Sequence, residues 1–286
     1  MRIALVTCRR LPGLDPDDHP LALALAARGH EAVPAIWDDP AVDWTSYDVA
    51  LLRSPWDYFH RRDEFLEWAA RAAAATRLLN PLDLVRWNSH KSYLVALRER
   101  GAEVIPTEII PARSIFDLRG RMAASGWTRA VLKPAVSADA FGTIRVNHET
   151  MAAGQAHADA LLAERDMMIQ PYFASVEEPG ERCLIHIDGR YSHAVRKRSH
   201  FLGGRHVGPE GITIAAEDDE RAAAERILRL ARAEGALYAR VDLARDDDGR
   251  PCLMELELVE PTLFFNCAPD AVARMVAALE ARAPSA

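Results

Sequence analysis

A short, continuously apolar run, RIALVTC (2–8), lies near the N-terminus, and EAVPAIW (31–37) and DVALLRS (48–54) read as further strands. A strand apolar on both faces must be covered on both, so such a run belongs to a parallel sheet with helices on its faces. HPLALALAARGH (19–30) supplies a helix ending near Gly29, and RDEFLEWAARAAAA (62–75) a second one ahead of RLLNP (77–81). The alternation predicts a small open α/β domain over residues 1–85. Open sheets of this kind bind ligands at the carboxyl ends of their strands. That rule places CRRLPGLDPDDH (8–19) and RSPWDYFHRR (53–62) at a ligand edge. Neither the G-x-G-x-x-G fingerprint nor the G-x-x-x-x-G-K-[ST] loop occurs, so this edge is not a standard dinucleotide or P-loop site.

The pattern changes further on. SHKSYLVALRERG (89–101) reads as a helix with Ser89 as N-cap and Gly101 as its stop. Strands are expected at VIPTEII, RAVLKPAV, GTIRV and MMIQPYF, with helices near 114–125 and 148–165. ERCLIHIDGRYSHAVRKR (181–198) is hairpin-like about Asp188–Gly189, and the glycine-bearing FLGGRHVGPEG (201–211) follows as a loop. An amphipathic helix near 217–234, an acidic hairpin and a last helix, DAVARMVAALEARA (270–283), complete the chain. Regions 86–172 and 173–286 therefore form two further units of α+β character.

With 286 residues, 49% hydrophobic and 27% charged, this is a globular composition. A net charge of −7 with no basic stripe argues against a nucleic-acid partner. No apolar run approaches the ~20 residues that span a bilayer. The four cysteines lie far apart without a C-x-x-C, so a reducing cytoplasmic location is expected and no zinc or disulfide framework is indicated.

The hairpin LYARVDLARDDDGRPCLMELEL (237–258) carries the chemistry. If Asp248–Gly249 form a two-residue type I′ turn, counting outward pairs Asp242 with Glu255 and Arg240 with Glu257. Paired residues share a face, as do Glu255 and Glu257, so three carboxylates gather together. Like charges directly opposite one another destabilise a sheet. Either a hard cation such as Mg²⁺ sits among them, or the hairpin is solvated with Glu257 paired to Arg240.

Taken in order, these pieces resemble the ATP-grasp superfamily over nearly the whole chain. The resemblance implies a Rossmann-like N-terminal domain followed by two lobes that clamp ATP. It further implies that Lys91 and Lys133 contact phosphates and that Gln170, Pro171 and Tyr172 meet the adenine. Glu181 would hold the ribose, Arg196 the terminal phosphate, and Asp242, Glu255 and Glu257 two magnesium ions. Lys197, next to Arg196 on a strand, should face away unless a bulge intervenes. Position 257 carries Glu where Asn is commoner, and the phosphate-covering stretch PAVSADAFGT (134–143) holds only Gly142.

Activation of a carboxylate by ATP, followed by attack of an amine, is the implied chemistry. Substrate recognition is assigned to Arg53, Ser54, Trp56 and Asp57, with Arg53 for a carboxylate and Asp57 for an ammonium. The competing reading of that loop is an Arg53–Asp57 ion pair beside a packed Trp56. The strings RSPWDY, WNSHK, QPYF, HAVRKR and ELELVEP most resemble the branch containing the cycloserine-biosynthesis cyclo-ligase. That likeness implies a small amino-acid-like substrate, O-ureido-D-serine, closed to D-cycloserine. An intermolecular amino-acid ligase, a kinase on the same fold and a non-catalytic nucleotide-binding regulator are the rivals. The apolar last helix would also allow a homodimer.

Overall fold

The computed structural model describes residues 1–138, 140–197 and 211–282. His200, His206 and most of the loop 201–211 lie outside the described residues. No helix among the described residues is long and apolar enough to cross a membrane.

The first sheet contains β1 (Arg2–Thr7), β2 (Glu31–Ile36), β3 (Val49–Ser54) and β4 (Arg77–Leu79), in the order β2-β1-β3-β4. All its pairings are parallel, as the alternation of strands and helices predicts. Helices α1 (His19–Ala27) and α2 (Arg62–Ala75) connect it. The period of two is visible in the packing. Ile3, Leu5, Val49 and Leu51 face one core; Ala4, Val6, Ala50 and Leu52 face another, built on Phe65 and Trp68 of α2. Burying each such Leu or Ile contributes roughly 1.5–3 kcal/mol.

Two short helices follow, α3 (Leu82–Asn88) and α4 (Tyr93–Glu99). The single capped helix expected from Ser89 is thus divided. Ser89 lies just past the end of α3, its hydroxyl bonded to the Arg86 carbonyl. Lys91 therefore sits in a turn between helices rather than on one. The second sheet contains β5 (Glu108–Ile110), β6 (Ala130–Pro134), β7 (Ile144–Val146) and β8 (Met167–Pro171), ordered β5-β8-β6-β7 and antiparallel. Helices α5 (Leu118–Ser125) and α6 (Met151–Leu162) cover one face of it through Leu118, Met122, Ala158 and Leu162.

The third sheet contains β9 (Glu181–Ile187), β10 (Arg190–Lys197), β11 (Gly211–Ile214), β12 (Tyr238–Arg245) and β13 (Pro251–Glu257), ordered β11-β10-β9-β12-β13. Leu184, Ala194, Val241 and Leu243 pack beneath α7 (Asp218–Ala231), which starts with a Glu217–Glu220 capping box. On the opposite face Cys183, Ile185, Ile187, Val195 and Tyr238 join the core shared with β1, β3 and α8 (Asp270–Ala281). This shared core fixes the first and third sheets to each other.

Candidate active site

The face of the third sheet that is apolar against β1 becomes charged farther along, where Glu181, Lys197, Arg240, Asp242, Glu255 and Glu257 replace the hydrophobes. Five of them, all but Asp242, line a cleft of about 770 Å³. Asp242 does pair with Glu255, and Arg240 with Glu257. The route differs from the expected one. Arg245 pairs with Pro251, and the turn closes through Asp246 N to Arg250 O (3.0 Å) and Gly249 N to Asp246 O (2.9 Å). Gly249 has φ +77°, so this is a three-residue turn with its glycine in the left-handed region, not a type I′ pair. Alone, the extra residue would shift the register by one and turn Glu255 to the other face. A bulge at Met254 restores it.

Cations of the chain answer the clustered carboxylates. Arg240 donates from Nε to Asp242 Oδ1 (2.8 Å) and from Nη2 to Asp242 Oδ2 (2.9 Å), and also reaches Glu257. Lys91 Nζ lies 2.9 Å from Glu255 Oε1 and 3.0 Å from the Ser137 carbonyl. Burial alone would raise Glu255, but the charges of Lys91, Lys133 and Lys197 bring it to about 2. Glu257 goes the other way: burial, with Glu255 and Asp242 nearby, outweighs Arg240 and pushes it up to about 7. Both remain wetted by the cleft, with 27% and 24% of their side-chain surface exposed. The open edge of β13 is held by Asn88, which bonds Leu256 O and Leu258 N (2.7 Å each), and by the Tyr93 hydroxyl on Leu256 N (3.0 Å).

The donor chemistry fits a hard divalent cation, since Glu255 and Glu257 present only carboxylate oxygens to a polar cleft. The arrangement is not a formed cage: among the described residues no three His, Cys, Asp or Glu side chains converge as metal ligands. Arg240 holds both oxygens of Asp242, which is 1% exposed, so the accessible donors are Glu255 and Glu257.

The second sheet forms the opposite wall. Alternation sends Leu132 into its core and Val131 and Lys133 into the cleft. Burial lowers the Lys133 pKa, with Glu255 and Glu181 opposing and Lys91 and Lys197 adding to the effect. Gln170 is buried, its Nε2 donating to Thr107 Oγ1 (2.9 Å), and with Pro171, Tyr172 and Phe173 it lines the end of this wall. Glu181 faces them and pairs with Lys197 at 3.5 Å.

Arg196, expected at the terminal phosphate, lies on the other side of the sheet. Counting from the Asp188–Gly189 turn puts Arg196 opposite Glu181. In the structure a bulge at Ser192 shifts β10 by one, so Lys197 opposes Glu181 and Arg196 opposes Arg182. Lys197 thus enters the cleft, and carboxylates raise its pKa against the effect of burial.

The N-terminal wall also departs from expectation. Arg53 is 1% exposed, bonded through Nε to Asp18 Oδ1 (2.8 Å) and through Nη2 to the Pro261 carbonyl (2.9 Å), so it holds the fold and does not face the cleft. Its ion-pair partner is Asp18 rather than Asp57. Ser54 is buried against Thr7 Oγ1 (3.3 Å), and Asp57 accepts from Trp37 Nε1 (2.8 Å) and pairs with Arg61. The reason is that residues 53 and 54 still belong to β3, buried on both faces; the chain reaches the cleft only beyond Pro55. Of the four expected residues Trp56 lines it, its Nε1 bonded to the Glu260 carbonyl (3.0 Å). Arg10, Asp15, Tyr58, Phe59, His60 and Glu260 join it. All but Glu260 fall in the two loops assigned to the ligand edge, yet loop composition does not say which residues turn inward.

The comparisons agree with this architecture. The family described as D-cycloserine synthetase DcsG, N-terminal domain, matches residues 3–80. Cycloserine biosynthesis protein DcsG of Streptomyces lavendulae is 34% identical over 293 residues, 98% of this chain and 98% of that protein. A crystal structure of D-cycloserine synthetase DcsG matches with a TM-score of 0.91 at 33% identity, over 99% of both chains. Two more distant structures share the fold. The RimK domain ATP-grasp protein of Sphaerobacter thermophilus has a TM-score of 0.70 at 20% identity and full coverage of both chains. A D-alanine–D-alanine ligase of Bacillus anthracis, complexed with ATP, has 0.66 at 16% identity, over 99% of this chain and 98% of that one. With its β-bulged, acid-lined cleft between two sheets and a full-length relative at 34% identity, the chain belongs to the DcsG, or D-cycloserine synthetase, family of ATP-grasp carbon–nitrogen ligases.

Proposed function

We propose that this protein uses ATP to phosphorylate the carboxylate of O-ureido-D-serine and closes the acyl phosphate to D-cycloserine. The observation that carries the reading is the convergence of Lys91, Lys133, Lys197 and Arg240 with Glu255 and Glu257 in one cleft, in a family named for this synthesis. Gln170, Pro171 and Tyr172 border the adenine, and Glu181 takes the ribose. Lys91, Lys133 and Lys197 bind the phosphate oxygens and stabilise the charge that develops during transfer. Glu255 and Glu257, with Asp242 behind them, hold magnesium. When bound, magnesium neutralises the phosphate oxygens and orients the donor. Trp56, Tyr58 and the neighbouring loop residues enclose the amino-acid-like substrate and exclude water from the acyl phosphate. Attack by the substrate's own ureido nitrogen forms the ring and expels phosphate. Water then removes the carbamoyl remnant as CO₂ and ammonia.

The test measures ADP and phosphate release with Mg²⁺ and O-ureido-D-serine, its L-enantiomer, or pairs of ordinary amino acids, with products weighed by mass spectrometry. A D-cycloserine mass from the D-substrate alone, abolished by EDTA, is the expected result. Turnover only with paired amino acids would replace the reading with an intermolecular ligase. ATP binding without turnover on any substrate would leave a regulatory protein.

A further inference from the structure

Resting on that reading, we infer that Glu260 is the general base of ring closure, taking the proton from the ureido nitrogen as it attacks the acyl phosphate. The reaction needs such a group, because a neutral N–H nitrogen that forms a bond to carbon must lose its proton. The new N–C bond forms, the C–O bond to phosphate breaks with its electron pair going to phosphate, and the nitrogen's proton goes to the Glu260 carboxylate.

Among the described residues, the cleft's other carboxylates are committed to partners of their own. Glu181 pairs with Lys197, Glu255 with Lys91 and Glu257 with Arg240. Asp15 caps its own turn, accepting from Asp17 N at 2.9 Å. The lysines take basicity from Glu255 by stabilising its charged form, and Glu257, though raised by burial, is occupied by Arg240 and by the cation the functional reading places there. Glu260 has no such ion pair among the described residues, and the neutral Tyr58 hydroxyl lies beside it in the cleft lining. Its position is suited to the role. It lies three residues beyond Glu257 on the same cleft, where the phosphate-side charges meet the N-terminal wall of Trp56 and Tyr58. Trp56 Nε1 fixes its backbone carbonyl at 3.0 Å.

The groups acting on it electrostatically come from several elements: Glu255 and Glu257 of β13, Lys91 between α3 and α4, Tyr58 beyond β3, and Tyr238 of β12. Burial and then Glu257 push Glu260 up to about 8, against the Tyr58 hydrogen bond and the Lys91 charge. A base near the working pH is effective in proton transfer.

Glu260→Gln keeps shape and removes the proton acceptor. The expected result, in full-length protein with MgATP and O-ureido-D-serine, is a drop of roughly 10²–10⁴-fold in cycloserine formation. The amount of cycloserine per ADP should fall as well, because the acyl phosphate hydrolyses unclosed. The rise of kcat/KM with pH expected of the native enzyme should vanish. Tyr58→Phe supplies a second arm: losing the hydroxyl that favours the charged form should move that rise to higher pH. An unchanged product-to-ADP ratio, a pH rise that survives in Glu260→Gln, or an effect on KM alone would overturn the assignment. Native protein that forms no ADP with O-ureido-D-serine would overturn the functional reading itself, and this inference with it.

Discussion

Replacing Lys197 and Arg196 separately by Met tests the bulge at Ser192 as a determinant of catalysis. Lys197 opposes Glu181 and enters the cleft, whereas Arg196 lies on the far face opposite Arg182. Loss of a preorganised charge aimed at a transferring group costs about 2.7–4 kcal/mol, or roughly 10²–10³ in kcat. That is the expected effect of Lys197→Met. Its partner Glu181 keeps 23% of its side-chain surface exposed, so removing the lysine leaves no dry unpaired charge and the fold should persist. Arg196→Met should stay within about 0.5 kcal/mol, less than threefold in rate, as surface changes usually do. The assay is ADP release at saturating MgATP and substrate, with circular dichroism melts as the control for folding. A larger loss in Arg196→Met than in Lys197→Met would refute the argument and restore the register counted directly from the turn.

Other outcomes follow from the buried polar contacts. Asn80→Ala should lower unfolding free energy by about 3–5 kcal/mol, read by urea titration. It strands the Tyr238 and Leu258 carbonyls and the Leu237 N–H, which Asn80 now satisfies at 2.7–2.8 Å. Arg53→Met should cost about 3–5 kcal/mol by leaving Asp18 buried and unpaired, without raising the KM for substrate in protein that remains folded. A selective rise in KM would return Arg53 to substrate binding. His186 is lowered by burial to about 4, from 6.5. The unfolded chain therefore takes up the proton first, so stability is complete above pH 6.5 and declines toward pH 4. The loss is about 3 kcal/mol at most. A His186→Leu variant should show a correspondingly flatter profile in chemical denaturation across that window.

Local chemistry in the sequence determined much of this protein. The succession of strands and helices specified a parallel first sheet, and side-chain alternation specified that Glu255 and Glu257 share a face. The Asp-Gly turns marked two hairpins. The family resemblance, rather than local chemistry, assigned Lys91, Lys133, Gln170 and Glu181 to one nucleotide site, and all four line the same cleft. What the tertiary structure decided was parity. A side-chain period of two makes the facing of every residue depend on whether an odd residue is inserted, and one unpaired residue reverses it. The bulge at Met254 cancels the longer turn at 246–250 and leaves the acids where counting had put them. The bulge at Ser192 has nothing to cancel it, so Lys197 takes the place expected of Arg196. Whether Arg53 reaches a ligand was equally undecidable from its neighbours. Its partners, Asp18 and the Pro261 carbonyl, are 35 and 208 residues away in the chain, and only folding brings them together.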